Sequence, residues 1–488
     1  MNQGFSTLEI MIAFVLLSIV FAGVAAAEYG TQYWIIALET SGEGLALADR
    51  QLDEARMAAA QDFQSASSTD FAATSACGDT RLCYWRERAV SDISQCAKRL
   101  DVSVAWQTTR FPTSTVSLSD FLVDFSELIA RGADCGTVFS IGSWTSIAER
   151  SPPVALQGAP AGIDAFAGAA YIVENNPSRL EIIANGQAYE YIFPDDATLY
   201  AIDVARDTST GRAYAYIAAT SSQLRIIDVT EKSAPTLVAS TTLFGVPAGY
   251  EAGWRLQYYD GLLYIVTRFM SRPSARELHI VDVSNTASPA EIGSYKLSTS
   301  AYAVLVRDQH IGDAIRRLAY FATTHSSREL LVIDVTDPQN MVSAVSCDLP
   351  ETQRGTSLFM LGNTLYLGRE NVPSGGEDLY TFDASDPTSS DFCTSAAGVD
   401  VNDDSFSRHV QAIRGSGDYL FVATNNTTNA HGNIQIRATD KTENLAVTTS
   451  FDLDALAENG IDFDADTGLL YAVTGGSSPL LHVVTSDE

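Results

Sequence analysis

Hydrophobic and polar positions divide this chain into four stretches of different period. From Ile10 to Ala27 no charged residue interrupts the apolar run, and Glu9 and Glu28 bracket it. That length suits a helix able to span a bilayer, and the pattern predicts one. Leu38, Leu45, Leu52 and Ala59 then recur every seventh residue among Glu39, Glu43, Asp49, Asp53, Glu54 and Arg56, which predicts an amphipathic continuation over residues 5–62 as a whole. From Cys77 to Trp144 the period drops to two, most clearly at Leu100, Val102, Val104 and Trp106. Residues 63–150 are therefore read as a small head, with SLSDFLVDFSELIARGADCG as a strand and then a helix stopped by Gly132. Ser151–Pro153 reads as a linker.

Beyond the linker a unit repeats roughly every fifty residues. LRIIDVTEKSAP, LHIVDVSNTASP, LLVIDVTDPQN and LYTFDASDPTS place Asp228, Asp282, Asp334 and Asp383 at the end of a short apolar strand. A second apolar strand precedes each: AYAYIAAT, LLYIVTRF, LAYFATTH and TLYLGREN. The aspartate is expected to accept backbone N–H groups of the following turn, and Pro338 and Pro387 keep that turn out of the sheet. IQIRATDKTEN is a further copy, read with Arg437 at the aspartate position, and RLEIIANGQ and LLHVVTSDE flank the set. Short strands in units of four predict a β-propeller of about seven blades over residues 151–488, with a β-sandwich array as the alternative. The last copy stops after its third strand, so a segment near Pro153–Gln157 is expected to supply the fourth and close the ring.

Two resemblances follow. Gly4, Phe5 and Glu9 ahead of the apolar run resemble a class III prepilin leader, residues 1–4, and the stretch that follows resembles the type IV pilin and pseudopilin N-terminal region. The resemblance implies cleavage by prepilin peptidase between Gly4 and Phe5, N-methylation of Phe5, and pairing of the Glu9 carboxylate with a terminal amine in a filament. A lone carboxylate in an apolar helix needs such a partner, because burying it unpaired costs several kcal/mol. The leader MNQG departs from the family in having no Lys or Arg. The repeats, for their part, resemble the LVIVD repeat of bacterial propellers.

Together these imply an α+β pilin module, a long N-terminal helix with a small antiparallel sheet, followed by an all-β propeller. The function expected is that of a minor pilin or pseudopilin displaying a binding or adhesion head toward an unknown surface ligand. A pseudopilin of a type II secretion or DNA-uptake piston and a filament-anchored enzyme are the alternatives. The chain would pass once through the cytoplasmic membrane before assembly and end in an extracellular filament, with other pilin subunits as partners. A domain of about 320 residues is roughly 50 Å across, which crowds a helical filament and favours a rare or tip position.

Composition narrows the chemistry. Hydrophobic residues make up 46% and charged residues 18%, which fits folded domains rather than disorder. A net charge of −30 repels phosphate backbones and argues against nucleic-acid binding. Cys77, Cys83, Cys96, Cys135, Cys347 and Cys393 are an even set of disulfide candidates; the first four allow three connectivities, and their spacing does not suit zinc. The histidines at 279, 310, 325, 409, 431 and 482 fall singly, with no metalloprotease pair and no nucleophile elbow, so no catalytic set and no cofactor are expected. His279 and His482 occupy matching strand positions, where packing is the expected role. Asp462, Asp464 and Asp466 before Gly468 are a weak calcium-loop candidate, set against an ordinary hairpin as at ARDTSTGRAY.

Overall fold

The computed structural model describes residues 40–57, 69–73, 82–94, 97–108 and 111–123, and then 144–486 apart from short internal segments. The chain forms two compact units, Met1–Phe125 and Ser126–Glu488.

In the first unit, residues 40–57 form a helix, and four strands pair in simple antiparallel order: Thr69–Ala73, Leu82–Ser94, Ala97–Thr108 and Phe111–Val123. Alternation along the third strand puts Leu100, Val102, Val104 and Trp106 on one face, all buried against Ala48, Leu52 and Ala55 of the helix. The buried stripe of that helix is Thr40, Gly44, Ala48, Gln51, Leu52 and Ala55, a period close to 3.6. Leu45, expected on the apolar stripe, is exposed. The rotation has a steric cause: a Cβ on Gly44 would lie 2.6 Å from the Trp106 ring, so small residues form the contact face and let the indole approach. Arg56 crosses to the sheet and pairs with Asp120 at 2.7 Å.

These observations correct two expectations. The α+β class with a long N-terminal helix does not hold, because the described chain is nearly all strand with a single 18-residue helix whose outer face carries Glu43, Asp49, Arg50 and Asp53. Single-pass membrane anchoring is likewise not supported: among the described residues no helix is long and apolar enough to cross a membrane. Gly4, Phe5, Glu9 and the run 10–27 lie outside the described residues, as do Gly132 and the helix expected before it.

The second unit is a propeller-like ring of seven sheets. Six have four consecutive strands each, beginning with Ala159–Phe166, Leu199–Arg206, Arg255–Tyr259, Ala301–Ile311, Arg354–Leu361 and Val410–Ser416, which define blades one to six. These first strands lie innermost, each beside the next, and Leu456–Asp464 of blade seven returns to lie beside Ala159–Phe166. Blade seven has three strands of its own and is completed from the other end of the domain. Val154 and Ala155 pair with Leu481 and Leu480, as the segment near Pro153–Gln157 led one to expect, and Ile147–Glu149 extends the pairing to Val484–Ser486. Trp144, placed before the linker by sequence, is wholly buried between blades six and seven against Phe421 and Phe463.

Apolar side chains pack between blades as well as within them. Leu224, Ile226 and Tyr216 of blade two pack with Leu263, Ile265 and Val281 of blade three, and the same pattern recurs around the ring. Cys347, at the end of the outer strand of blade four, and Cys393, in the turn before the outer strand of blade five, form a disulfide. Cys77, Cys96 and Cys135 lie outside the described residues, and of the Cys83 side chain nothing is described.

The turn aspartates do what their position predicts. Asp228, Asp282, Asp334 and Asp383 each accept the backbone N–H two residues on, at 3.0, 2.9, 3.0 and 3.0 Å. Blade six differs by one register step from the sequence reading. Tyr419 pairs with Ala438, the pairing that Tyr214 makes with Asp228, so Ala438 and not Arg437 stands at the aspartate position. Arg437 points inward, donating to Gln435 Oε1 and to the Leu445 carbonyl.

Candidate functional site

Pairing in each blade sets one innermost residue opposite an aromatic residue on the second strand: Tyr171, Tyr216, Tyr264, Tyr320, Tyr366, Phe421 and Tyr471. All seven aromatics are buried and fix the height of the residues facing them. Those residues are Asp164, Asp203, Gln257, Leu305, Phe359, Arg414 and Asp462. They form a girdle around the channel.

The polar members of the girdle bind one blade to the next. Ala165 N–H donates to Asp462 Oδ2 at 2.6 Å, Val204 N–H to Asp164 Oδ2 at 2.7 Å, Tyr258 N–H to Asp203 Oδ2 at 2.6 Å, and Val306 N–H to Gln257 Oε1 at 2.6 Å. Each side chain thus takes the amide one residue past the girdle position of the following blade, from blade seven through to blade four. Arg414 Nε donates to the other oxygen of Asp462.

Three carboxyl groups so close together in a buried ring cannot all ionise freely. Burial, then the charges of Asp462 and Asp203, pushes Asp164 well above the usual carboxylate range. Asp203 is pushed up to about 6, again chiefly by burial and against the stabilising N–H of Tyr258. Burial would lower the Arg414 pKa, but Asp462, Asp164 and Asp203 outweigh it and hold the guanidinium charged. The girdle carboxylates are committed to backbone amides, an arrangement suited to holding blades in place.

One end of the channel has a different character. Just ahead of the girdle the inner strands bulge, by one residue between Leu199 and Ala201 in blade two and between Ala301 and Ala303 in blade four. A bulge re-aims the extra side chain, here Tyr200 and Tyr302. Trp254 occupies the same place in blade three, its N–H bonded to the Val266 carbonyl. Three adjacent blades therefore set an aromatic residue at the mouth. Tyr200 and Trp254 are parallel within 7° at 5.8 Å, and Trp254 meets Tyr302 edge-on at 5.9 Å. All three rings are only partly buried. Arg268 stacks over Trp254 at 5.3 Å, and Arg255 donates to the carbonyls of Trp254 and Tyr302. Beside them a cavity of about 120 Å³ is lined by Tyr200, Arg255, Tyr302, Ser357 and Arg414.

The residues singled out by sequence are scattered with respect to this site. Asp462 belongs to the girdle. Asp464 accepts from Gly168 N–H at 2.7 Å and from the Thr467 hydroxyl at 2.9 Å, and Asp466 lies outside the described residues. Among the described residues no three acidic, histidine or cysteine side chains come together to hold a metal ion. His279 Nδ1 contacts Glu291 Oε1 and His482 Nδ1 contacts Glu149 Oε1, each at 2.8 Å, well away from the channel. Sequence reasoning missed both the girdle and the aromatic mouth. The dipeptides Ile163-Asp164, Ile202-Asp203 and Ile461-Asp462, each one hairpin ahead of an aromatic strand, were the available signal.

No curated protein matches the chain in sequence. A crystal structure of a protein of unknown function from Bacteroides caccae is similar to it at 13% identity and a TM-score of 0.30, over 46% of this chain and 78% of that one. Residues 200–242 and 274–297 match the LVIVD repeat, stretches that contain Asp203, Asp228 and Asp282. The second unit is accordingly a propeller-like domain built with LVIVD repeats.

Proposed function

We propose that this chain is a minor filament subunit of the pilin type that carries its propeller-like domain as a binding head. The observation that carries the reading is Glu9, a single carboxylate at the front of an apolar run, five residues after Gly4 at a Gly4-Phe5 junction. Such a charge is tolerable in an apolar lattice only beside a cation, and cleavage after Gly4 creates one in the new amine of Phe5. Prepilin peptidase and neighbouring subunits are the partners this requires.

Binding, rather than catalysis, is supported by the way the channel spends its polar groups. Asp462, Asp164, Asp203 and Gln257 hold backbone amides, whereas three blades set an aromatic side chain at the mouth. The width of a ring of seven blades keeps such subunits from standing side by side at every position, which suits a minor component.

N-terminal sequencing and intact mass of the assembled protein test the reading. The mature chain should begin at N-methylated Phe5, and Glu9→Ala should lower its recovery in filaments at least tenfold. A mature start at Glu28, or undiminished incorporation of Glu9→Ala, overturns it.

A further inference from the structure

We infer that the aromatic mouth formed by Tyr200, Trp254 and Tyr302 is a saccharide-binding subsite, which takes the C–H face of a pyranose ring on the aromatic arc and its hydroxyls on the polar groups beside it. The inference deepens the binding-head reading and rests on it.

Four observations converge. The three aromatics come from three different blades, each three residues ahead of its girdle residue, so their juxtaposition follows from the alignment of the blades, with Tyr200 and Tyr302 at bulges. They are only partly buried, unlike the seven aromatics opposite the girdle, and so leave ring surface at the channel entrance. The indole Nε1 of Trp254 is buried and has no hydrogen-bond partner among the described residues, which leaves a donor at the edge of the arc. A ligand oxygen seated there would give this orphaned donor a partner. Finally, the cavity next to the arc is lined by Tyr200 and Tyr302 together with the polar residues Arg255, Ser357 and Arg414, whose existing bonds to neighbouring carbonyls and to Asp462 hold them in place beside it.

Flat ligands of two classes stack on aromatic rings, sugars and nucleobases. The net charge of −30 disfavours the second, since each nucleotide brings a phosphate into a repelling field. Neutral sugar rings carry no such penalty.

The test applies the full chain to an array of neutral and acidic oligosaccharides, with single-stranded DNA as a comparison. At least one saccharide should be bound. Affinity for it should fall at least tenfold in Trp254→Ala and in Tyr302→Ala, and severalfold in Trp254→Phe, which keeps the ring and loses the N–H. Phe244→Ala, an aromatic residue 80% exposed on the second blade and outside the mouth, should bind as the parent does. Circular dichroism and the thermal midpoint of each variant establish that the fold is kept. Capture of no saccharide, preferential capture of DNA, or saccharide binding that survives Trp254→Ala in a folded protein overturns the inference. Filament recovery of Trp254→Ala should equal that of the parent, and Glu9→Ala should still bind saccharide, so failure of this inference and failure of the filament reading give different results.

Discussion

Asp462 and Ala165 stand 297 positions apart in the chain and are joined by a hydrogen bond of 2.6 Å, the carboxylate of the last blade taking the amide of the first. The contact closes the ring through polar groups where most blade-to-blade contact is apolar. It also holds Arg414, whose guanidinium is shared between Asp462 and the Ile413 carbonyl.

Asp462→Ala removes both functions. The Ala165 amide loses its acceptor and Arg414 loses its ion-pair partner, keeping the Ile413 carbonyl and the nearby Asp164 and Asp203, so stability should fall by about 1–3 kcal/mol. Asp462→Asn keeps an acceptor for the amide and should cost less than Asp462→Ala. Urea unfolding followed by tryptophan fluorescence measures both.

Blade one should make the fold sensitive to alkaline conditions. Glu174 is wholly buried beside Glu181, with Arg179 Nε 3.4 Å away, and burial together with Glu181 pushes its pKa up to about 8. The folded state therefore holds a proton that the unfolded chain releases near the ordinary glutamate value. Its contribution is fully present below that value and is lost as pH rises through about 8. Between pH 5 and 9 the unfolding midpoint should decline, and Glu174→Gln should flatten the decline. A midpoint that stays level across that range in the parent protein would show the group is ionised throughout.

The Cys347–Cys393 bridge links the outer strand of blade four to the short turn at Cys393–Ser395 in blade five. Cys347→Ala with Cys393→Ala should lower stability by about 2–4 kcal/mol, the usual worth of a bridge that closes a loop of this size. Non-reducing peptide mapping should recover the two cysteines in one linked pair.

In the first unit the close approach of helix and sheet depends on Gly44. A methyl there would press on the Trp106 ring at 2.6 Å, so Gly44→Ala should destabilise by about 1–3 kcal/mol despite the better helix propensity of alanine. Thermal melts of the variant decide between the two effects: a raised midpoint would mean the ring can move aside.

What could be read in advance was local. The turn aspartates at 228, 282, 334 and 383 were legible because a short side chain satisfying its own turn leaves a strand–Asp–turn signature in one stretch of chain. Leu100, Val102, Val104 and Trp106 were legible for the same reason, since a half-buried strand alternates within a few residues. Features made by two distant segments were not. Asp164 looks like any strand aspartate until Val204 of the next blade is placed against it, and Tyr200, Trp254 and Tyr302 share a place only because the blades line up in a ring. Register failed where its marker was missing. With no aspartate at Ala438, Arg437 was the nearest polar residue to put in its place. The helix face failed because a hydrophobicity count favours Leu45 over Gly44, whereas the indole of Trp106 selects for absence of bulk.

The strand Ile147–Glu149 has a mechanical consequence. It lies hydrogen-bonded along Val484–Ser486, in the same sheet that Leu456–Asp464 lays against blade one. A pull delivered through the chain ahead of Trp144 reaches this domain where Trp144 packs between blades six and seven, next to the closing sheet. Resistance of the domain to such a pull is thus governed by the burial of Trp144 and by the few backbone bonds between Ile147–Glu149 and Val484–Ser486, more than by the six blades that are each built from four consecutive strands.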